Sequence, residues 1–377
     1  MRANKGLAGL IAGDTAISKV DVSTSSLWYR GYDINELCEK TSFLEVAYLL
    51  LNNDLPNIAQ LKSFEEFEKE NRDIPDILYD LFKSAPKYGH PMDLLNQSVS
   101  ILGSVDEKNI LGTNSQEENL IKSMLLISKM PTIVANSYRL SQGLKAIKPD
   151  KNLSYSENFL SMILGKEVKD SLSVKTFDTS MILYAEHGYN ASTFSARVTA
   201  ATLSDLYSSV STAIGTLKGP LHGGANEQVM YMLKEIGSAN RAEKITLEKI
   251  RNKEKIMGFG HRLYRTGDSR TGVMKKLGKE LATKLGIHIW HDISDIMEKT
   301  MIEEKSIYPN LDFPAASAYY LLGIPIELYT PIFAASRVTG WAAHIIEQHN
   351  DNKLIRPSCD YIGPSSRNVQ PISKREL

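Results

Sequence analysis

The chain has 377 residues, which is long enough for about two to three domains. Lysine plus arginine and aspartate plus glutamate number 44 each, so the formal net charge is +0, and we expect neither a nucleic acid nor a membrane surface as a partner. Two cysteines, Cys38 and Cys359, are too few for a disulfide framework and form no metal-binding pair. We therefore expect a protein of the reducing cytoplasm, with a single cross-link between these thiols as the alternative.

Apolar residues three and four positions apart predict helices along most of the chain. Ahead of them, residues 16–22 alternate weakly and predict a short strand, and a helix opens near Asp33 after a turn at Gly31. Short polar or proline-containing connectors separate the helices. In the first part of the chain, the predicted helices cover residues 43–51, 58–70, 77–84, 92–102, 117–144, 155–165 and 172–187, followed by the small-residue run 191–217.

The second part of the chain continues the helical pattern. Its most apolar region, residues 313–338, approaches the length of a membrane span, but Pro314, Pro325 and Pro331 divide it, so two buried helices explain it better. The pattern predicts one helix from a cap at Asn226 to residue 236 and another over residues 242–253. A third begins at a cap near Asp268 or Ser269, and a fourth lies past Asp292. The last long helix runs from residue 330 to about residue 349.

Residues 218–227, KGPLHGGANE, set His222 among glycines just before a helix. Because Gly219, Gly223 and Gly224 carry no side chains, a ligand could approach both the imidazole and the main chain. We expect Asn226 to cap the following helix, so that free amides and a partial positive charge lie near His222. The stretch could therefore stabilise an anion; the alternative is a surface turn with a solvated histidine.

Residues 255–270, KIMGFGHRLYRTGDSR, repeat the arrangement of glycines before a histidine, here at Gly258, Gly260 and His261. Exposed main-chain groups in such a turn could bind a flat heterocycle or a phosphate. Neither glycine motif ends in Gly-Lys-Ser/Thr or follows a strand as G-x-G-x-x-G, so nucleotide hydrolysis and dinucleotide redox chemistry are poorly supported. The arginines make the loop locally basic, and simple solvation of these charges is the alternative.

Two single charges lie in apolar sequence. Arg337 falls within IFAASRVTGWAAHII, where burying a guanidinium is costly unless an anion meets it. That anion could be a structural carboxylate or a carboxylate-bearing substrate, for which the planar fork of arginine is suited. Asp312, between Leu311 and Phe313, would have a raised pKa that suits a general base, or it could simply cap the following helix.

A metal site is one explanation of His288 and His291, which precede Asp292. One histidine pair without a further ligand cluster is weak evidence for a metal, and a solvated helix end is the simpler account. We therefore expect no bound metal.

Six motifs follow one another along almost the whole chain: RGYDI, HGYNAST, GPLHGGANE, GFGHRLYRTGDSR, PNLDF and ASRVTGW. Together they resemble citrate synthase in its shorter, dimeric bacterial and archaeal form. The resemblance implies an all-α fold in which a large helical domain is interrupted by a smaller domain that closes over the substrates. It implies a large-domain segment over residues 1–218, the small domain over 219–312, and a second large-domain segment with the C-terminal tail over 313–377.

The resemblance also implies a role for each matching residue. His222 would donate a hydrogen bond to the thioester oxygen of acetyl-CoA, Asp312 would remove the methyl proton, and His261 would polarise the ketone of oxaloacetate and take part in hydrolysis of citryl-CoA. Oxaloacetate would be held by His187, Arg270 and Arg337, and by Arg356 from the partner subunit of a homodimer. The coenzyme A adenine loop would comprise Lys255, Ile256, Met257, Gly258, Phe259 and Gly260, with Arg265 as a phosphate contact.

The chemistry agrees with these roles, because a feebly acidic thioester α-proton can be removed by a carboxylate only when a preplaced donor meets the developing charge. The resemblance implies no permanently bound cofactor; the coenzyme A thioester is a co-substrate. The main alternative is 2-methylcitrate synthase, which uses propionyl-CoA, or an enzyme with both activities, since one methylene changes discrimination by only about 1–3 kcal/mol. Pro314 follows Asp312 and Phe313 where relatives often carry an aromatic residue, which bears on the space beside the acyl group. A non-catalytic acyl-CoA-binding protein and a metal-dependent hydrolase are the remaining alternatives.

Overall fold

The computed structural model describes residues 4–7, 9–107, 109, 114–264 and 267–375, and this part of the chain is mostly helical, as predicted. One small antiparallel sheet lies near the N-terminus, with Ser18 opposite Tyr29 and Tyr29 opposite Tyr32. Leu27 and Tyr29 are both buried, because alternate side chains of a strand share one face. The strand predicted within residues 16–22 is present. The sheet consists of β1 (Ser18–Asp21), β2 (Ser26–Tyr29) and β3 (Tyr32–Asp33).

The helices follow one another through short connectors. Several begin at a residue whose side chain accepts a hydrogen bond from the first helical turn, as at Asp33 and in the capping box of Ser42 with Glu45. Their bounds are α1 (Ile34–Lys40), α2 (Phe43–Asn52), α3 (Ile58–Glu70), α4 (Asp76–Ser84), α5 (Pro91–Val105), α6 (Gln116–Ser141), α7 (Tyr155–Leu164), α8 (Ser171–Tyr184), α9 (Ala191–Ala200), α10 (Leu206–Leu217), α11 (Ala225–Ile236), α12 (Ala239–Arg251), α13 (Ser269–Leu285), α14 (Ile289–Lys305), α15 (Asp312–Leu321) and α16 (Tyr329–Asn350).

One predicted cap is confirmed and another is wrong. Asp268 caps α13, because its carboxylate accepts a hydrogen bond from the amide of Arg270 at 3.1 Å. Asn226 does not cap α11, which begins one residue earlier, after Gly224. The Asn226 side chain is instead buried inside the first turn, where its Oδ1 accepts the amide of Glu227 at 2.8 Å, while the hydroxyl of Thr330 in α16 donates to the neighbouring Glu227 carboxylate. The first turn of α11 is therefore packed against α16.

Helix α16 is the centre of the larger part of the molecule. Almost all of its residues are buried, and it packs against α2, α6, α8, α9 and α10. Its close approach to the end of α8 depends on Gly340, since a β-carbon there would overlap the carbonyl of Ala185 and the carboxylate of Glu186. This contact places Arg337, one turn before Gly340, against the segment that follows α8.

Helices α11 to α15 pack mainly on one another: α11 and α13 both lie against α15, and α12 lies against α14. On one side α13 also contacts α1 and α8, which docks this group against the rest of the molecule. The group covers the predicted small domain, residues 219–312, together with α15 just beyond it. The two domain boundaries, after residues 218 and 312, stay predictions.

Several expectations for single segments can be compared with the structure. The run 191–217 divides into α9 and α10, and Leu203 between them adopts a left-handed φ of 65°. The apolar region 313–338 is broken between α15 and α16, as predicted, and no helix in the described ranges is long and apolar enough to cross a membrane. Cys38 is buried and Cys359 is exposed, and both are free thiols, so the alternative cross-link is not formed.

Candidate active site

Arg337 is buried in α16 beside the end of α8. Its Nε donates a hydrogen bond to the carbonyl of Tyr184 at 2.6 Å, and its guanidinium lies 4.8 Å from the ring centre of Phe333. Tyr184 is the last residue of α8, so its carbonyl has no partner within that helix. Burial lowers the pKa of Arg337 to about 10, although Glu186 partly opposes this. Among the described residues no carboxylate lies within ion-pair distance of Arg337, although the charge of the buried Glu186 acts on it.

Arg270 is buried in the first turn of α13 and is paired with Asp268. Two parallel hydrogen bonds, of 2.9 Å from Nε and 2.7 Å from Nη2, join the two side chains. Burial disfavours the charged guanidinium, but the bond with Asp268 outweighs it and raises the pKa of Arg270. The same carboxylate accepts the amide of Leu311 at 3.3 Å, which ties this ion pair to the backbone just before Asp312.

His187 and His261 face one another beside Arg270, with ring centres 4.9 Å apart. Nδ1 of His261 accepts hydrogen bonds from the amides of Leu263 and Tyr264, at 3.1 and 3.2 Å. Because an amide can only donate, Nδ1 is unprotonated and Nε2 carries the proton of the neutral ring. Burial, with a contribution from Arg270, lowers the pKa of His261 to about 4. At neutral pH this ring is therefore an uncharged donor through Nε2.

The predicted helix extends to His187, but α8 ends at Tyr184, so His187 lies just beyond the helix. Residues 185–187 leave the helix, and Gly188 adopts a left-handed φ of 58°. Nε2 of His187 lies 3.3 Å from the hydroxyl of Tyr264. Burial lowers the pKa of His187 well below its usual value, so this ring is uncharged too.

His222 lies in the turn before α11 and faces the first turn of α9. Its Nε2 accepts the amide of Ser192 at 3.3 Å and lies 2.8 Å from the Ser192 hydroxyl. That hydroxyl in turn accepts a hydrogen bond from Nε1 of Trp341 at 3.1 Å. With Nε2 an acceptor, the proton of the neutral ring resides on Nδ1. Burial, assisted by Arg337, lowers the pKa of His222 to about 3, so it too is an uncharged donor.

Asp312 is the first residue of α15, and its carboxylate does not cap that helix. Its Oδ1 instead accepts a hydrogen bond from the hydroxyl of Tyr184 at 2.8 Å. Loss of hydration raises the pKa of Asp312 to about 6, although the bond from Tyr184 opposes the rise. Within the described ranges, no hydrogen bond to the other oxygen, Oδ2, is found. This carboxylate is therefore more basic than usual and has one oxygen available.

Phe333 connects the two halves of this arrangement. Its ring lies 4.2 Å from the ring of Tyr184, which holds Asp312, and 6.2 Å from the ring of His222. The charge of Arg337 acts on His222, on His187 and on Asp312. Residues up to 150 positions apart, from His187 to Arg337, are thus brought together, and the charge of Arg270, of Arg337 or of both acts on each of the others. We call these residues the cleft cluster: His187, His222, His261, Arg270, Asp312 and Arg337.

The predicted adenine loop, residues 255–260, is tied to the segment that precedes Asp312. The amide of Gly260 donates to the carbonyl of Tyr308 at 2.8 Å, and the carbonyl of Gly258 accepts the amide of Asn310 at 2.9 Å. Gly258 requires the absence of a side chain, because its φ is 80° and a β-carbon would lie 3.0 Å from Phe313. Within the loop, Ile256 is buried, Phe259 stacks on Phe313 at 4.5 Å, and Lys255 is exposed beside Met257.

Arg356 and the histidine pair His288 and His291 lie outside the cleft cluster. Arg356 lies in the exposed tail after α16, where no described contact joins it to the cluster. Arg265 lies outside the described residues. His288 is exposed whereas His291 is buried against Gly278, and no group of three or more potential metal ligands is found in the described ranges.

The sequence reasoning missed four residues that hold the cluster in place. Tyr184 bonds the Asp312 carboxylate, Ser192 and Trp341 orient His222, and Glu186 is buried next to Arg337. Each of them lies within four residues of a recognised motif residue or inside a recognised motif. The signal available in the sequence was that these polar side chains lie next to a motif on a helical segment. Their partners could not be read from the sequence, because these partners are more than 100 positions away along the chain or belong to another helix.

A model of the citrate synthase family, described as the citrate synthase C-terminal domain, matches residues 6–358. The chain belongs to the citrate synthase family. It is therefore a condensing enzyme of the acyltransferase class, and the all-α fold expected from the motifs is the fold of its family. Citrate synthases use coenzyme A thioesters as substrates.

The similarity to individual citrate synthases extends over the full length of the chain. A citrate synthase of Mycolicibacterium smegmatis is 47% identical over 368 residues, which cover 98% of this chain and 97% of that protein. A 2-methylcitrate synthase of Mycobacterium tuberculosis is 46% identical over 363 residues, which cover 96% and 91%. The citrate synthase of Thermoplasma acidophilum, in a ternary complex with carboxymethyl coenzyme A and oxaloacetate, superposes with a TM-score of 0.93 at 32% identity and covers 98% of this chain and 99% of its own.

Proposed function

We propose that this protein is a citrate synthase that joins acetyl-CoA, oxaloacetate and water to give citrate and free coenzyme A. The observation that carries the proposal is the cleft cluster, in which a carboxylate of raised basicity, uncharged imidazole donors and two buried arginines surround one cleft. A dicarboxylate substrate fits such a wall, because arginine forks pair with carboxylates and the overall protein is neutral.

In the first step, Asp312 would remove a proton from the methyl group of acetyl-CoA. The thioester oxygen would take up the negative charge of the enolate, and Nδ1–H of His222 is the donor that would meet it. A neutral imidazole suits this task, since its Nε2 is occupied by Ser192 and its proton therefore points away from that residue. A base with a pKa of about 6 is ionised at neutral pH yet more basic than an ordinary aspartate.

In the second step, the enol carbon would attack the ketone of oxaloacetate. Nε2–H of His261 would polarise the ketone oxygen and stabilise the alkoxide that forms, while His187, Arg270 and Arg337 would hold the two carboxylates. The product, citryl-CoA, is then cleaved by water, which gives a new carboxylate and releases the coenzyme A thiol. The loop 255–260 would hold the adenine, with Arg265 near a phosphate.

The small domain, residues 219–312, would close over both substrates and exclude water until citryl-CoA has formed. Closure would bring loop 255–260, which carries His261 at its end, towards the wall formed by α8 and α16. We place the enzyme in the cytoplasm, which accords with two free thiols at Cys38 and Cys359.

Thiol release from acetyl-CoA, measured with and without oxaloacetate, tests the function. We expect release that depends on oxaloacetate and persists after exhaustive treatment with a chelator. Ligand binding without turnover would identify a non-catalytic acyl-CoA-binding protein instead, and loss of turnover with the chelator would identify a metal-dependent hydrolase.

A 2-methylcitrate synthase activity is the second candidate, because relatives that carry this name are 43–46% identical to the chain. The same assay with propionyl-CoA, compared by kcat/KM, ranks the two activities. We expect acetyl-CoA to be preferred; a higher kcat/KM for propionyl-CoA would reverse the assignment.

We also propose a homodimer in which Arg356 of one subunit completes the oxaloacetate site of the other. A carboxylate-binding arginine on an exposed tail is consistent with this role. Asp312→Asn and Arg356→Gln variants, each of low activity, can be co-expressed with different tags and purified as hybrid dimers. One site of a hybrid then carries neither change, so activity well above that of either variant is expected. A hybrid no more active than its parents would place Arg356 in its own subunit or outside the site.

A further inference from the structure

Glu186 is a buried carboxylate that the proposed reaction does not use. It lies directly before His187, in the segment that follows α8, and it is fully buried. An ionised carboxylate in such a place is costly unless hydrogen bonds and opposite charges compensate it. The groups around Glu186 therefore indicate which positive charge this carboxylate balances.

One oxygen of Glu186, Oε1, is fully supplied with donors. The hydroxyl of Ser18 donates to it at 2.9 Å, Nε2 of His344 lies 3.0 Å away, and the amide of Gly188 also donates to it. Nη1 of Arg197 lies 3.1 Å from Nδ1 of His344, and since arginine can only donate, the proton of the neutral imidazole resides on Nε2. His344 is thus a fixed donor to Glu186, and this carboxylate is held in its ionised form.

The other oxygen, Oε2, is buried and makes no hydrogen bond in the described part of the chain. It lies against α16 at Gly340, whose missing β-carbon leaves the room for it. Arg337 lies three residues earlier, on the same face of α16. The two charges act on one another: Glu186 supports the charged form of Arg337, and Arg337 helps to lower the pKa of Glu186 against the effect of burial.

We propose that Glu186 is a positioning residue for Arg337: its unpartnered Oε2 is the internal counter-charge of that guanidinium, and it sets how tightly the dicarboxylate substrate is held. This proposal rests on the proposed function. In the empty enzyme Glu186 compensates Arg337, and in the complex it repels the incoming substrate carboxylate. The site therefore gains stability when empty at the expense of affinity for oxaloacetate.

The variant Glu186→Gln tests this, because glutamine keeps the volume and an acceptor oxygen for Ser18, His344 and Gly188 but removes the charge. We expect the KM for oxaloacetate to fall roughly three- to thirtyfold. The KM for acetyl-CoA should stay within about twofold, because the coenzyme does not meet Arg337, and the melting temperature of the empty enzyme should fall. Added oxaloacetate should raise the melting temperature of the variant more than that of the wild type.

Glu68→Gln is the matched control, since Glu68 is also buried and paired with an arginine, Arg72, outside the cleft. It should lower the melting temperature and leave the KM for oxaloacetate unchanged. A Glu186→Gln enzyme that is active with an unchanged or higher KM would make Glu186 merely structural and overturn the proposal. Absence of thiol release by the wild-type enzyme would instead reject the proposed function itself, so the two failures are distinguishable.

Should Glu186→Gln not fold, Glu186→Asp carries the test, because its shorter side chain withdraws the charge from α16. A smaller fall in the KM for oxaloacetate is then expected. An unchanged or raised KM in a folded Glu186→Asp enzyme would again contradict the proposal.

Discussion

Two regions of this molecule each combine a buried arginine with a carboxyl group of raised pKa, but they differ in how fully these groups are hydrogen-bonded. In the packed region between α2, α3, α7 and α8, Arg72 gives Nε and Nη2 to Glu68 at 2.8 and 2.7 Å and Nη1 to two backbone carbonyls. Asp178 nearby accepts a hydrogen bond at each oxygen, from the Ser156 hydroxyl and from the amide of Phe43. Each nitrogen of the Arg72 guanidinium and each carboxylate oxygen of Glu68 and Asp178 therefore has a partner within the chain.

In the cleft, the corresponding groups are only partly used. Among the described residues, Arg337 donates one hydrogen bond, from Nε, and Asp312 accepts one side-chain hydrogen bond, at Oδ1. The pKa of Asp178 and that of Asp312 are both raised to about 6 by loss of hydration. A shifted pKa alone therefore does not distinguish a structural carboxyl group from a candidate base. Unused hydrogen-bonding capacity at the cleft does distinguish the two groups, because a ligand can supply the hydrogen-bond partners that the chain does not.

The largest expected effect separates the two carboxyl groups. Asp312→Asn should lower kcat for thiol release by about 10³-fold, because the amide cannot accept the methyl proton. Asp178→Asn should leave kcat within about twofold, since Asp178 touches only structural partners. Steady-state assays with both substrates, on variants whose helical content is checked by circular dichroism, measure this. Equal losses of kcat in the two variants would contradict a catalytic role that belongs to Asp312 and not to Asp178.

The next effect separates the two arginines by affinity. Arg337→Gln should lower kcat/KM for oxaloacetate by roughly 10²- to 10³-fold, because it removes a desolvated partner of a substrate carboxylate. Arg72→Gln should not change it. Titration of oxaloacetate at saturating acetyl-CoA gives both values, and a large change in the Arg72 variant would count against its purely structural role.

The same pair is separated by stability in the opposite direction. Arg72→Gln should lower the free energy of unfolding by about 3–5 kcal/mol, because it leaves the buried Glu68 carboxylate without its ion pair. Arg337→Gln should cost the empty enzyme less, since one hydrogen bond is lost and the Glu186 carboxylate keeps its donors Ser18, His344 and Gly188 when the guanidinium is removed. Chemical denaturation of both variants, without ligand, provides the comparison. A larger loss of stability in the Arg337 variant than in the Arg72 variant would mean that Arg337 also stabilises the fold of the empty enzyme.

The pH dependence of stability gives a smaller effect. The pKa of Asp178 is raised by burial from 3.8 to about 6, so its contribution to stability is fully present below pH 3.8 and is lost as the pH rises through about 6. Asp178→Asn should remove roughly 1–3 kcal/mol of this dependence between pH 4 and 6. Asp312 contributes with the same sign, so Asp312→Asn removes the other part. Denaturation series at several pH values, compared among wild type and both variants, resolve the two contributions.

The smallest expected effect concerns the hydrogen bond from Tyr184 to Asp312. Tyr184→Phe removes a donor that lowers the pKa of Asp312, so this pKa rises and the acidic limb of the kcat profile moves to higher pH. Activity should fall severalfold at pH 6 and less at pH 8. The pH profile of kcat measures the shift, and an equal loss at all pH values would point to displacement of the base instead.

Local features of the fold could be predicted because their causes are local. The helix predicted over residues 43–51 begins at Phe43, after the capping box of Ser42 with Glu45, and the predicted cap at Asp268 starts α13; both caps are formed by neighbours in the sequence. Proline between α15 and α16 likewise breaks an apolar run. The cap assigned to Asn226 was wrong, because the helix begins at Ala225 and the Asn226 side chain is buried within its first turn.

The candidate site shows the same limit. His222, His261, Asp312 and Arg337 were recognised from motifs and from single charges in apolar runs, but the proton positions of the two imidazoles were not. They depend on amides placed by the fold, such as that of Ser192, which lies 30 positions from His222. The roles assigned to these residues stay predictions until the variants above are measured.

The sequence by itself determined the helical class, most helix starts, the family and the candidate residues, since these depend on spacing, caps and motif order. Only the tertiary structure decided which polar atoms are used up and which are left open. Tyr184 reaches Asp312 across 128 positions, and His344 reaches Glu186 across 158. Hydrogen bonds and charge pairs between helices depend on distances of a few ångströms in space, and separation along the chain carries no information about them.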